Sequence, residues 1–280
     1  MSRFVAPIRR HNTAKGHSYK DATGARVPGV TTITDGGLPK KALINWAGNA
    51  TADAAVNRWD ELTGLPPAAR LKALQSARYE DKDRAGNRGT EVHRFAEMLI
   101  AGQAVQAPDE IAGHVESCAR FLDEFGFKAE RTEFSVVSYR YGYAGTGDWI
   151  ATVQLPASAQ VPDDWRPFLG RRIRLLGDWK TNRSGIFGEV SLQLAGYRYA
   201  DVLIEADGTE IPMPAVDACA AVWVRGDGYS LIPVTAGPEQ HRQLLYVQQV
   251  GLFDKSAGDL VGAPVVPPTA STYRLTREQS

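Results

Sequence analysis

Asp178 and Lys180 stand two positions apart in the stretch Arg172-Ile-Arg-Leu-Leu-Gly-Asp-Trp-Lys-Thr. The apolar approach through Ile173, Leu175 and Leu176 reads as a β-strand. Strand side chains alternate, so carboxylate and ammonium share one face while Trp179 points to the other. A carboxylate beside an ammonium at a strand end suits metal-assisted hydrolysis. The carboxylate holds a hard divalent cation, and the lysine orients the attacking water and steadies developing negative charge. Trp179 can bury its ring and still offer its carbonyl oxygen to the metal. The same three-residue pattern recurs at Glu80-Asp81-Lys82, in a polar helical stretch where residues two apart diverge. No site is expected there.

Asp148 follows Gly145-Thr-Gly at an expected strand start and supplies a second carboxylate. Alone it reads as a turn residue. Beside Asp178 and Lys180 it reads as a ligand, because two convergent carboxylates repel unless a cation sits between them. His93 and Glu97 are four apart on an expected helix. A neutral imidazole there can ligate a metal, and the carboxylate one turn on can orient its ring. By themselves the two would be an ordinary surface pair. Gln193 and Tyr197, also four apart, share a face of a later helix. His11, His17, His114 and His241 are read as structural or solvated.

The elements that must position these groups follow from periodicity. Residues 39–126 read as helices. The first opens at Pro39 with Leu43, Trp46, Ala47 and Ala50 in register. A second spans 66–85, a third 89–102 with His93, and a fourth 109–125. Strands are expected near 133–139, 148–153 and 172–181, a helix at 189–204, strands at 218–224 and 229–234, and a closing helix at 238–253. The order predicts an α/β protein in which an N-terminal arm and helical lobe (1–126, contributing His93) lead into an α/β core (127–255). An irregular tail (256–280) ends one continuous unit.

Composition narrows the classes. The chain has 280 residues, 43% hydrophobic and 23% charged, an ordinary globular balance. Its 32 basic and 32 acidic residues cancel, so any attraction to nucleic acid must be local. One basic patch is visible: eight Lys/Arg against two Asp in residues 1–41, which alone reads as a solvated arm. Two cysteines, Cys118 and Cys219, exclude a disulfide framework and a four-cysteine zinc or iron–sulfur site. An apolar leader and a membrane-length apolar run are both missing from the sequence, which leads to the expectation of a cytosolic protein with no membrane partner.

Taken in order, Gly89-Thr-x-x-His93-x-x-x-Glu97, Gly145-x-x-Asp148, Asp178-Trp-Lys180-Thr181 and Gln193-x-x-x-Tyr197 resemble the PD-(D/E)XK nuclease superfamily. The nearest branch is the RecB-like group with the CRISPR-associated and phage exonucleases. Val27-Pro-Gly-Val-Thr-Thr-Ile with Leu43-x-x-Trp46 resembles the N-terminal part of phage and actinobacterial members. The resemblance covers about residues 27–200. It implies a restriction-endonuclease-like core, a mixed central sheet flanked by helices. It makes His93, Asp148, Asp178 and the Trp179 carbonyl the ligands of Mg2+ or Mn2+, Lys180 the catalytic lysine, and Glu97, Gln193 and Tyr197 their supports. Many RecB-like members pin an iron–sulfur cluster with four cysteines; with only Cys118 and Cys219, either the N-terminal helices pack without it or the chain belongs to a cluster-free branch. The implied activity is DNA hydrolysis, exonucleolytic in recombination, repair or phage DNA metabolism. DNA is the implied partner, with a recombination or single-strand-binding protein as a further one. The arm and Arg70, Arg78, Arg84, Arg88 and Arg94 would line a strand path, and Trp46 and Trp59 would pack in the core. The alternatives are a non-catalytic DNA-binding or assembly module and a nuclease acting on RNA.

Overall fold

The computed structural model describes residues 4–13, 16–39 and 41–265, with residues 41–43 and 80–85 described by backbone only. Its centre is a seven-stranded mixed sheet. The strands are β4 (Lys128–Ser138), β5 (Tyr143–Gln154), β6 (Arg172–Lys180), β7 (Val202–Ile204), β8 (Glu210–Pro212), β9 (Ala218–Arg225) and β10 (Gly228–Val234), in the spatial order β10-β9-β6-β5-β4-β7-β8. Among these seven strands, β6 and β9 are the one parallel pair. A parallel pair needs a crossover, supplied here by the segment that contains helix α6 (Glu189–Arg198).

Both faces of the sheet are covered. On one, α1 (Val30–Gly37), α6 and α7 (Pro238–Ser256) pack Val30, Ile33, Leu194, Tyr197 and Leu244 against Phe134, Val136, Ile150 and Leu176. On the other, α4 (Pro67–Ile100) and α5 (Asp109–Glu124) bring Val92, Phe95, Cys118 and Phe121 onto Trp149, Leu175, Trp179 and Val222. Gly177 lets this layer close, since a Cβ there would fall 1.9 Å from the Trp149 ring. Cys118 and Cys219 are buried in different layers.

Four sequence expectations need correction. The helices expected at 66–85 and 89–102 are one, α4, of 34 residues and about 50 Å at 1.5 Å per residue. Gly86 and Gly89 cost helix stability, about 1 kcal/mol each, but supply no stop signal of their own. The basic arm is not simply solvated: β1 (Arg9–Thr13), β2 (Gly16–Lys20) and β3 (Arg26–Val27) form a small antiparallel sheet. Its Ile8, Tyr19 and Val27 are buried on Val137 and Ala144. The helix expected to 204 ends at Arg198, and Val202–Ile204 instead pairs with β4. Trp59, on α3 (Trp59–Thr63), is 62% exposed rather than in the core, whereas Trp46, on α2 (Lys41–Asn57), is half-buried. Residues 266–280 of the expected tail lie outside the described residues. Among the described residues no helix is long and apolar enough to cross a membrane.

Candidate metal and catalytic site

The site is built where β4, β5 and β6 run side by side. The β4–β5 register sets Thr132 opposite Trp149 and Phe134 opposite Gly147, so Glu133 falls opposite Asp148. The β5–β6 register ends at Trp149 opposite Gly177, with Asp148 and Asp178 the next positions. Asp148 therefore lies in the middle of a long strand, between two acidic neighbours, and not at a strand start. Strict alternation along β5 fails at this point. Gly145 and Gly147 face Tyr197 and Phe134 of one layer, yet Ile150, an odd number of residues on, belongs to the same layer and Trp149 to the other. The facing residue on β4 is irregular at the same point. Glu133 has φ +46°, a left-handed conformation that costs a non-glycine residue about 1–3 kcal/mol and interrupts an extended strand.

His93 reaches this row from α4. Its Nε2 lies 3.1 Å from the Trp179 carbonyl oxygen. A carbonyl only accepts, so Nε2 carries the hydrogen and donates. Nδ1 is then left 3.5 Å from Asp148 Oδ2, a lone pair facing a carboxylate unless a proton or a cation lies between them. The same Asp148 oxygen accepts the Trp179 backbone N–H at 2.7 Å. Burial, and then the charge of Asp178, push the Asp148 carboxyl up to about 7. Gly89, one turn before His93, lets α4 approach the end of β6, since a Cβ there would lie 3.2 Å from Thr181 Oγ1.

On the other side of Asp148 stands Asp178, 1% exposed. Its Oδ1 accepts from Gln193 Nε2 at 2.8 Å. Oδ2 forms a tight ion pair with Lys180 Nζ at 2.5 Å, in which the ammonium is hydrogen-bonded to the carboxylate. Lys180 Nζ donates to Gln193 Oε1 at 3.3 Å. Burial opposes the ammonium, but Asp178 and Asp148 outweigh it and raise the lysine above its ordinary value, so it stays charged at neutral pH. Gln193 Nε2 also lies 3.2 Å from Tyr197 Oη. One amide from α6 thus ties carboxylate, ammonium and phenol together. Gly145 makes room for that phenol: a Cβ would sit 2.5 Å from the Tyr197 ring.

All eight sequence-selected residues meet in this region, in somewhat different roles from those expected. The Trp179 carbonyl, expected to face the metal, accepts from His93. Glu97, expected to orient His93, lies beside Glu133, and burial followed by the Glu133 charge raises its carboxyl above the usual range. Glu133 itself was not singled out from the sequence. Nothing local marks it, since β4 also carries Lys128, Glu130 and Arg131. Of the arginines expected along a strand path, Arg70 is spent on the Leu62, Thr63 and Leu65 carbonyls at the end of α3. Arg94 lies over Phe95, and Arg78 over Tyr79. The Glu80-Asp81-Lys82 pattern and Arg84 fall among residues described by backbone only.

The donor set fits a hard divalent cation. One ligand atom each of His93, Glu133 and Asp148 lies within 4.8 Å of the others, the separation of ligands around an ion bound at about 2.0–2.6 Å. Asp178 adds a buried carboxylate, paired with Lys180. Scanned against models of known protein families the chain matches none, and a search of curated proteins likewise finds no match.

Proposed function

We propose that this chain is a Mg2+- or Mn2+-dependent deoxyribonuclease with a RecB-like PD-(D/E)XK core, acting exonucleolytically in recombination, repair or phage DNA metabolism. The observation that carries the reading is the crowding of Asp148 and Asp178 in a buried site with one lysine. Burial and Asp178 hold the Asp148 carboxyl near 7, and the one Lys180 ammonium is drawn to both carboxylates. Such an arrangement calls for a second positive charge.

His93, Asp148 and Asp178 would hold the metal, with Glu133 beside them. The bound ion would lower the pKa of a water and polarise a phosphoryl oxygen. Lys180, kept charged by Asp178 and steered by Gln193, would orient that water and stabilise negative charge growing on the phosphate. Gln193 would hold Asp178 and Lys180 in fixed relation, and the Trp179 carbonyl would fix the ring of His93. The layer of Phe121, Trp149 and Trp179 on the opposite face (Phe121 and Trp179 centroids 5.5 Å apart) would keep the β6 end rigid.

Digestion of end-labelled linear DNA, closed circular DNA and RNA with magnesium, manganese or chelator tests this reading. Linear DNA should be degraded from its ends in a metal-dependent way while closed circles persist. Cleavage that survives a strong chelator, or none with either metal, would overturn it.

A further inference from the structure

The nuclease reading leaves open how a strand reaches Asp148. A cavity of about 680 Å3 opens between β2, β3, the start of α1 and the end of α7, lined among others by His17, Tyr19, Arg26, Thr32, Gly145 and Lys255. It reaches the strand that carries Asp148, although none of His93, Glu133, Asp148, Asp178 and Lys180 lines it. Tyr19 and Gly145 form part of its wall, Tyr19 Oη lies 2.7 Å from Thr146 Oγ1, and Asp148 is two residues beyond Thr146 on the same strand.

The chemistry of the lining is that of an anion site. Arg26 comes from β3 and Lys255 from the last turn of α7, elements far apart in sequence that both turn a cation toward this space. Among the described residues neither has a carboxylate partner in an ion pair. Two other basic groups of the small sheet are engaged, Arg9 with Glu210 at 2.8 Å and Arg10 with Glu133 at 3.4 Å. The Thr32 hydroxyl and the His17 ring add neutral donors, and the single acid of the lining is Asp35, which has an interaction of its own. The volume falls within the ~300–1,000 Å3 of small-molecule sites, which suits a short piece of one strand and is far too small to enclose a duplex.

We propose that this cavity binds the sugar–phosphate backbone of a single strand next to the scissile phosphate, with Arg26 and Lys255 contacting two successive phosphates. This rests on the nuclease reading and narrows it: the strand must be unpaired where it enters, and the N-terminal small sheet becomes part of the substrate site.

The test is binding of a fluorescent single-stranded oligonucleotide in calcium, over a salt series, by the wild-type chain, by the R26A/K255A double variant and by R166A, whose residue lines no part of the cavity. Melting curves establish that the variants are folded. Two lost phosphate contacts should make the slope of log K against log salt shallower by about 1.4, at about 0.7 per contact for single strands. Affinity at low salt should fall about tenfold or more, and R166A should match the wild type. In magnesium the double variant should show a raised KM with kcat nearly kept. An unchanged slope in R26A/K255A, or wild-type binding of a mononucleotide or inorganic phosphate as tight as that of the oligonucleotide, would overturn the cavity assignment. The two readings fail differently. A wild type that binds the strand through these residues yet never cleaves would sink the nuclease reading and leave the cavity standing. A wild type that cleaves, with a double variant that binds identically, would do the reverse. A wild type that binds no strand in calcium overturns both.

Discussion

At the scale of single residues, Asp178, Glu133 and Lys180 should part company in one metal titration. Asp178→Asn keeps the shape and the Gln193 contact but removes the charge of the buried oxygen, so metal affinity and cleavage should both collapse. Glu133→Gln removes one of three donors that sit within 4.8 Å of each other. It should weaken metal binding about tenfold or more while sparing some activity at saturating metal, since Asp148 and Asp178 remain. Lys180→Ala removes a cation 2.5 Å from Asp178. Metal binding should persist or tighten, yet cleavage should fall by about 10²-fold or more for loss of one electrostatic stabiliser of the transition state. Calorimetric titration of the three variants beside a cleavage assay gives the answer. Equal metal loss in all three would show that Lys180 acts by holding Asp178 in place. Two of these residues were legible from their spacing alone, because a period of two puts Asp178 and Lys180 on one face. Glu133 was not, since its role depends on which strand lies beside β4 and on a backbone angle with no local sequence signature.

At the scale of elements, the helices on the α6 face are tied to the sheet by a buried polar contact. Tyr143 Oη donates to the Gly196 carbonyl at 2.9 Å and lies 2.8 Å from His241 Nε2, linking β5, α6 and α7. His241 also stacks on Tyr199, centroids 5.5 Å apart. Burial lowers the His241 pKa below 6.5, so below that value the unfolded chain binds a proton that the folded chain resists. Stability is then fully present above about pH 6.5 and declines as pH falls toward the folded value. Thermal melts across about pH 5 to 8 should show that decline in the wild type and a shallower one in His241→Gln. A His241→Gln slope as steep as the wild type's would assign the acid sensitivity to other groups. Reading His241 as structural or solvated left both states open; burial of α7 against α6 and β5 settles it as structural.

At the scale of the whole molecule, a folded state that crowds Asp148 and Asp178 gains from any cation that relieves them. A ligand bound by the folded chain alone adds about 2.7 kcal/mol at a hundredfold excess over its Kd, several degrees in Tm for a chain of this size. Manganese and magnesium should therefore raise Tm and chelator reverse the rise, with Asp178→Asn giving little or none. A melting curve indifferent to both metals would remove the metal from the site. The net charge of zero also means that affinity for a polyanion has to come from placed groups such as Arg26 and Lys255.

What the chain determined by itself is whatever depends on neighbours in sequence. Periods of two and of about four placed Asp178 with Lys180, His93 with Glu97 and Gln193 with Tyr197, and the switch from helical to alternating patterns near 127 marked where the first strand of the large sheet begins. Only the tertiary structure decided the rest. Lateral pairing, invisible to local pattern, set Glu133, Asp148 and Asp178 in one row across β4, β5 and β6. Packing on Val137 and Ala144 turned a basic arm into the wall of a cavity. The free edge of β4 drew Val202–Ile204 out of an expected helix, because strand hydrogen bonds to an existing edge outweigh weak local helix propensity.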